Sequence, residues 1–207
     1  MAATFNSIPF DQKKRIKLLQ VFGLFAIASL LFSRPVWMDD QPMREVLEFS
    51  GYMLVFICVF GRLWSILFVG SRKNSELVTN GPYSITRNPL YFFSTLGVIG
   101  IGLACSSIIV AATLGIMSYL VFSFTARKES EFLKETFPTE YRTYAANTPM
   151  FFPNINLYKD GGDTTFSPKA LFRTFIDVLA FFIALPLIEG LEFLHESEQW
   201  PTFVSLY

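Results

Sequence analysis

The chain reads as an all-α integral membrane protein. It predicts about five transmembrane helices, including a short helical hairpin, and a cytoplasmic helical cap in its C-terminal half. Three observations carry this. Of 207 residues, 52% are hydrophobic and only 16% are charged, whereas soluble domains carry roughly a quarter charged residues. Mean hydropathy is +0.41. The apolar residues gather into runs of spanning length, broken by short polar segments. Formal net charge is zero, so no global basic field points to nucleic acid.

Residues 1–17 are polar and close on a basic cluster, Lys13, Lys14, Arg15 and Lys17. Leu18 to Phe32 is nearly all apolar. Basic-then-apolar is also a signal-peptide pattern, but no small-x-small cleavage site follows. Extended to Trp37, the run approaches the ~20 residues a span needs, with Trp37 at the interface. Residues 38–46 read as a polar loop. Leu47 to Val69 is the second span, and it contains Arg62. An ionisable residue there either faces protein or a cavity, or snorkels to the surface near Gly70. Both readings stand open.

Residues 70–90 form the next loop, which leads into the polar, turn-rich stretch LVTNGPYSITRNPLYF from Leu77 to Phe92. Tyr91 to Thr125 then runs without a charge, too long for one span and short for two. Ser106-Ser107 near its middle predicts a hairpin with arms of about 25 Å at 1.5 Å per residue. Gly97, Gly100, Gly102 and Gly115 would let the arms pack closely. Ala126 to Ala146 is charged and helix-prone. It extends the preceding helix and restarts near Pro138, with Thr136 as N-cap. Tyr141 and Tyr144, three apart, share a face. Met150 to Pro168 is a linker with a turn at Asp160 to Asp163. Leu171 to Gly190 is the final span, kinked at Pro186; Asp177 and Glu189 make polar contacts within the bundle or simply lie at its ends, the second being the favoured reading. Cys58 and Cys105 read as buried small side chains without a disulfide. The lone His195 reads as interfacial.

Lys and Arg are enriched in cytoplasmic loops of membrane proteins. The N-terminus, the 70–90 loop and the 126–173 region are rich in them; the hairpin tip and the C-terminal tail have none. This places the N-terminus and both chemically rich segments in the cytoplasm and the C-terminus outside. On that shared side Arg87 offers a fork of donors suited to a carboxylate. Asn88 offers donor and acceptor, and Tyr83 and Tyr91 offer ring faces and hydroxyls. Glu129 and Glu131 face them from the second segment, with Tyr141 and Tyr144 behind. The mixture suits a cationic, amphoteric ligand with an adenine ring. Solvation of helix ends accounts for the same residues without a site. The sequence has no Gly-rich phosphate loop, no HExxH and no paired cysteine set, and no metal site is expected.

The stretch GRLWSILFVGSRKNSELVTNGPYSITRNPLYF resembles the isoprenylcysteine carboxyl methyltransferase and phospholipid methyltransferase superfamily, in its bacterial membrane form. The motifs are Gly81-Pro82-Tyr83, Arg87-Asn88-Pro89-Leu90-Tyr91, Glu129, Leu133, Phe137-Pro138, Tyr141, Tyr144 and the close from Pro149 to Pro153. They span roughly residues 61–153. The resemblance implies a methyltransferase core at 61–153, after membrane anchor spans at 1–60. A linker at 154–170 and a final span and tail at 171–207 follow. It implies a multi-pass enzyme of a bacterial inner membrane that uses S-adenosylmethionine. Tyr83, Arg87, Asn88, Pro89, Tyr91, Glu129, Tyr141 and Tyr144 would bind the cofactor. Arg87, Glu129 and Arg62 would be the catalytic set.

The implied partners are membrane lipid and a lipophilic or lipid-linked acceptor entering from the bilayer. An isoprenylcysteine-like carboxylate is the preferred acceptor, because no strong base is evident. A phospholipid amine, a small thiol and a non-catalytic scaffold derived from the family are the alternatives. Two positions depart from the pattern. Asn88 stands where many members have His, and it cannot act as a base. Ser130 stands where many have a second Glu, and Glu131, one residue on, is turned about 100° around the helix.

Overall fold

The computed structural model of the protein describes residues 33–34, 41–70, 76–162, 165–196 and 204–205. The predicted first span therefore lies outside the described residues, apart from Ser33–Arg34. Six α-helices follow: α1 (Gln41–Val69), α2 (Pro82–Ile85), α3 (Pro89–Ala104), α4 (Ile108–Thr136), α5 (Pro138–Asn147) and α6 (Pro168–Glu196). A 3-10 turn at Ile155–Leu157 precedes α6, and Ser33–Arg34 (β1) pairs in parallel with Val204–Ser205 (β2). Among the described residues, α1, α4 and the Pro168–Leu191 part of α6 are long and apolar enough to cross a membrane, and α3 is a shorter apolar helix. The chain is a multi-pass membrane protein.

Helix α1 starts earlier than the sequence reading placed it. Residues 41–46, read as loop, form its first turns. A proline is tolerated in a first turn because its missing N–H is not needed there, and Pro42 sits there. Arg44 and Glu48, one turn apart, form an ion pair at 3.2 Å that supports the start. Leu47, Gly51, Val55 and Cys58 then recur at helical spacing and are buried.

That stripe packs on α3, antiparallel to α1, in the most extensive helix contact of the described residues. The contact is backbone on backbone at one end. A Cβ added at Gly51 would stand 2.5 Å from the Ala104 nitrogen, and one added at Gly100 would stand 2.7 Å from the Gly51 oxygen. Gly102 makes the same kind of approach to Ala111 on α4. With no lipid-driven hydrophobic effect between helices, such close packing is what holds them together.

The hairpin forms at Ser106-Ser107, as expected. Ser106 takes the left-handed conformation, φ 54°. Its N–H donates to the Leu103 carbonyl and that of Ser107 to the Gly102 carbonyl, a Schellman closure with Ser where Gly is usual. Ser107 then N-caps α4, its hydroxyl accepting from the Val110 N–H at 3.0 Å. Helix α4 runs unbroken through the charged segment to Thr136, and α5 restarts at Pro138. The cap is Phe137 rather than Thr136, whose hydroxyl donates back to the Phe132 carbonyl and so stays inside α4.

Helix α6 lies along α1 and, less extensively, α3. Thr174, Val178 and Ile188 are its buried stripe. Pro186 lies inside it. Glu189 does not merely mark the helix end: it accepts a hydrogen bond from the Tyr52 hydroxyl of α1 at 2.8 Å. Cys58 and Cys105 are buried thiols, in no disulfide among the described residues. Within the expected turn, Gly162 takes a positive φ of 57° and its N–H donates to the Asp160 carboxylate at 3.3 Å. Asp163 and the His195 side chain lie outside the described residues.

Candidate functional site

At the end of the bundle where α1 stops and α3 starts, the loop 76–88 and the segment 149–159 are laced together. Gly81 has φ 58° and ψ −131°, a region only glycine enters readily. Its N–H donates to the Lys159 carbonyl at 2.8 Å. The Ser84 hydroxyl donates to the Gly81 carbonyl and accepts from the Lys159 N–H. Thr86 Oγ1 donates to the Phe151 carbonyl, the Arg87 N–H to Pro149 and the Asn154 N–H to Ile85. The distant Pro149 to Pro153 close of the motif is thus a strap across the Arg-Asn-Pro turn.

The strap decides what Asn88 does. It precedes α3 without capping it by its side chain; Nδ2 donates instead to the Met150 carbonyl at 2.8 Å. The amide ties strap to turn. Pro89, fully buried, opens α3.

The side chains beside it converge on one cavity of about 450 Å³. That lies within the usual range for small-molecule sites, ~300–1,000 Å³. Tyr83, Arg87, Asn88, Pro89, Tyr91, Glu129, Tyr144 and Arg62 all line it. The Tyr91 hydroxyl donates to Glu129 Oε1 at 2.9 Å, joining α3 to α4. The Tyr91 ring stacks on Phe122, with centroids 5.1 Å apart and planes 12° apart. Arg87 Nη1 donates to the Tyr141 hydroxyl at 3.2 Å. Tyr141 is thus a support behind Arg87, whereas Tyr144 is part of the wall. Tyr144 donates to the Tyr83 carbonyl at 2.6 Å and packs edge-on against Tyr141. Burial first, then the neighbouring Tyr144, Glu129 and Tyr91, hold the Tyr83 hydroxyl well above its ordinary pKa. Burial, then Tyr141, raises Tyr144 despite the opposing Arg87.

Arg62 is turned inward, not snorkelled. Its Nη1 donates to the Ser94 hydroxyl on α3, and its Nε is buried without a hydrogen-bond partner among the described residues. The Nε of Arg87 is in the same condition. Glu131 points away and pairs with Lys128 at 3.2 Å on the exposed face, while Ser130 is buried.

Four polar lining groups escaped the sequence reading as site residues. Glu76 comes from the loop, Ser94 from α3, and Thr174 and Asp177 from α6. Asp177 is not at the end of its span but nine residues into α6. The available signal was a lone carboxylate in an apolar run, which by default marks a site. A second hollow of about 750 Å³ lies beyond Tyr144, lined by residues such as Thr143, Asn147 and Lys159. It holds neither Arg87 nor Glu129, so the site is the smaller cavity.

The donor set fits S-adenosylmethionine on two counts. Arg87 keeps an unused, buried N–H for a carboxylate, and Glu129 is fixed by Tyr91 with room for an ammonium group. Stacked rings beside them offer a wall to a positive centre or an adenine.

No solved structure matches the chain. A profile described as phospholipid methyltransferase matches residues 46–140, the stretch from α1 into α5. The cobalt-zinc-cadmium resistance protein CzcN of Cupriavidus metallidurans is 35% identical over 197 residues, 95% of this chain and 90% of that protein. The nickel-cobalt-cadmium resistance protein NccN of Alcaligenes xylosoxydans xylosoxydans is 32% identical over 197 residues, 95% and 92% of the two chains. With most of its cavity-lining residues inside the matched stretch, and relatives aligned over nearly their whole length, the chain belongs to the phospholipid methyltransferase family.

Proposed function

We propose that the protein is an S-adenosylmethionine-dependent membrane methyltransferase acting on a lipophilic acceptor. The observation that carries this is the Tyr91–Glu129 hydrogen bond beside Arg87. It brings the two motif segments, separated by a helical hairpin, onto one cavity between membrane helices. S-adenosylmethionine, when bound, supplies a methyl group already activated on a sulfonium. The protein's part is therefore to position and to exclude water. Arg87 holds the amino-acid carboxylate of the cofactor as a charge-assisted pair, braced by Tyr141. Glu129 takes the ammonium, braced by Tyr91. Tyr83 and Tyr144, phenols that are neutral at pH 7, close the wall without adding charge.

The acceptor enters from the bilayer side, where α1, α3, α4 and α6 line the cavity. A carboxylate acceptor would rely on Arg62, since Arg87 is committed to the cofactor. Asn88, locked on Met150, supplies no base. By the charge bias of the loops, the cavity faces the cytoplasm of a bacterial inner membrane. The relatives' names set this transfer in the context of cobalt, zinc, cadmium and nickel resistance. Among the described residues no three His, Cys, Asp or Glu are grouped to hold an ion.

Calorimetry on detergent-purified protein tests the reading. S-adenosylmethionine or its demethylated product should bind, and Arg87→Ala and Glu129→Gln should each weaken binding at least tenfold, about 1.4 kcal/mol. No binding up to millimolar concentration would leave a scaffold derived from the family.

A further inference from the structure

We propose that segment 149–158, the strap and the 3-10 turn after it, is seated in the bilayer interface. Phe152, Ile155 and Tyr158 face lipid, and lipid holds the strap against the Arg87-Asn88-Pro89 turn. The inference rests on the methyltransferase reading only where it takes that turn as the cofactor's cradle.

Three large apolar or aromatic side chains stand exposed close together in this segment: Phe152 at 65%, Ile155 at 78% and Tyr158 at 49%. A contiguous exposed patch of this kind marks an interaction surface. What covers it follows from what it joins. Phe152 stacks on Tyr119 of α4 with centroids 5.7 Å apart, and the buried Phe151 meets the same ring edge-on at 4.9 Å. Ile116, Leu120 and Phe124 flank Tyr119 along α4 and are exposed. Helix α4 is long and apolar enough to span, so that face meets acyl chains. Tyr119 comes six residues before Thr125, where the uncharged run closes, a depth of about 9 Å at 1.5 Å per residue. At its other end the segment reaches α1. The Tyr158 ring lies 6.2 Å from that of Trp64, five residues before α1 ends at Val69. The segment thus runs from one span to another at the level where Trp and Tyr collect. Elements lying in the interface sink by a similar depth, about 5–10 Å. Lys159 and Asp160 follow, both exposed, and return the chain to water.

The backbone argues the same way on separate grounds. Irregular backbone at membrane depth needs its polar groups satisfied by protein. The carbonyls of Pro149, Met150 and Phe151, three in succession, accept from the Arg87 N–H at 2.9 Å, Asn88 Nδ2 at 2.8 Å and the Thr86 hydroxyl at 2.9 Å. The Asn154 N–H donates to the Ile85 carbonyl at 2.9 Å. Side chains are recruited where the backbone alone does not suffice. In water those carbonyls would be solvated at little cost; against lipid each lost bond leaves a bare polar group. Lifting the strap breaks these bonds together and frees the backbone of Arg87 and the amide of Asn88. The bilayer therefore acts on the turn through the strap.

The experiment uses the full chain in nanodiscs of phosphatidylcholine and phosphatidylglycerol. A nitroxide is placed on Ile155→Cys. Phe124→Cys is the lipid reference, and Asn147→Cys, exposed on α5, is the water reference; wild type, whose Cys58 and Cys105 are buried, is the labelling blank. Collisions with oxygen, which partitions into lipid, are compared with collisions with a water-soluble nickel chelate. The label at 155 should stand nearer the lipid reference. A label nearer the water reference overturns the proposal, because the strap then lies in water. A label shielded from both reagents also overturns it, because protein, such as a second copy of the chain, then covers the patch. Amide hydrogen exchange reads the hold on the turn. Ile155→Asp should speed exchange of the Arg87 and Asn154 amides about tenfold, as local opening becomes easier, and Ile155→Leu should match wild type. Ile155 is too exposed for lost protein contacts to produce that change. The Val55 amide, in the core of α1, should keep its wild-type rate. Unchanged exchange at Arg87, or equal acceleration at Val55, overturns the hold. Should Ile155→Asp fail to fold, the milder Ile155→Ser should move the same two amides in the same direction, and no movement there overturns the hold as well. None of these readouts uses the cofactor. Failure of wild type to bind S-adenosylmethionine removes the methyltransferase reading, and the lipid seating then stands or falls on the label and the amides alone.

Discussion

The two ends of the helix bundle are built from the same three elements and do opposite things. At the hairpin end, α1, α3 and α4 meet through Gly51, Gly100 and Gly102, backbone against backbone. Its polar side chains pair with one another: Ser106 donates to Glu48 at 3.0 Å, Glu48 pairs with Arg44, and Tyr52 donates to Glu189. At the other end, Arg62, Tyr91 and Phe122 stand where the glycines would be. There guanidinium and carboxylate groups face a cavity. Tight packing at one end lets the other stay open: the hairpin end holds the crossing in place, and the cavity end can spend its polar groups on ligands.

The largest effect should follow from breaking the closed end. Gly51→Leu pushes a side chain into Ala104 and Gly100 backbone that has nowhere to go. Overpacking of this kind costs about 3 kcal/mol or more when backbone must move. A melting curve in detergent should shift strongly downward, and cofactor binding should disappear only as the protein unfolds. A wild-type melting curve would show that the glycine contact is not what fixes the helices.

A smaller effect is expected at the open end, from Tyr144→Phe. The change deletes a buried hydroxyl and leaves the Tyr83 carbonyl without its donor, a loss of about 1–3 kcal/mol. It also alters the response to alkali. The folded-state pKa values of Tyr83 and Tyr144 are raised above the unfolded value of about 10. For a group shifted in that direction, the stabilisation is complete below the unfolded pKa and is lost as pH rises past it, because only the unfolded chain ionises easily. Wild type should therefore lose stability above about pH 10, and Tyr144→Phe should lose it less steeply. Equal slopes in unfolding measured from pH 8 to 11 would show that Tyr144 is not held neutral by the fold.

The contrast between the ends also accounts for what could be read from the sequence. Periodicity and charge report on single helices, so the span at 47–69, the break at Ser106-Ser107, the restart at Pro138 and the shared face of Tyr141 and Tyr144 were all legible. Which face meets which was not. Arg62 had two equal readings until α3 brought Ser94 beside it. Asn88 lines the cavity, but its tie to Met150 was not legible, because the strap that holds it comes from more than sixty residues away. The four hairpin glycines announced close packing, but Gly51, their partner on α1, drew no notice inside an apolar run. Asp177 was placed at a helix end because its helix carried no family motif. Its neighbours on the cavity come from α1, α3 and α4, and no pattern within α6 encodes them.

The smallest effect should come from Ser106→Gly, at the tip of the closed end. Two terms oppose each other there. Glycine enters the left-handed region without the strain that serine bears, a gain of about 1 kcal/mol. The same change removes the hydroxyl that donates to Glu48, a loss of about 1 kcal/mol. Arg44 still neutralises Glu48, so no carboxylate is stranded. The melting temperature should stay near that of wild type. Ser106→Ala separates the terms, since it loses the hydrogen bond and keeps the strain; it should melt lower than both. If Ser106→Gly is instead strongly destabilised, the Ser106–Glu48 bond is worth more than the backbone strain it accompanies. The closed end would then be held by its polar network as well as by its glycines.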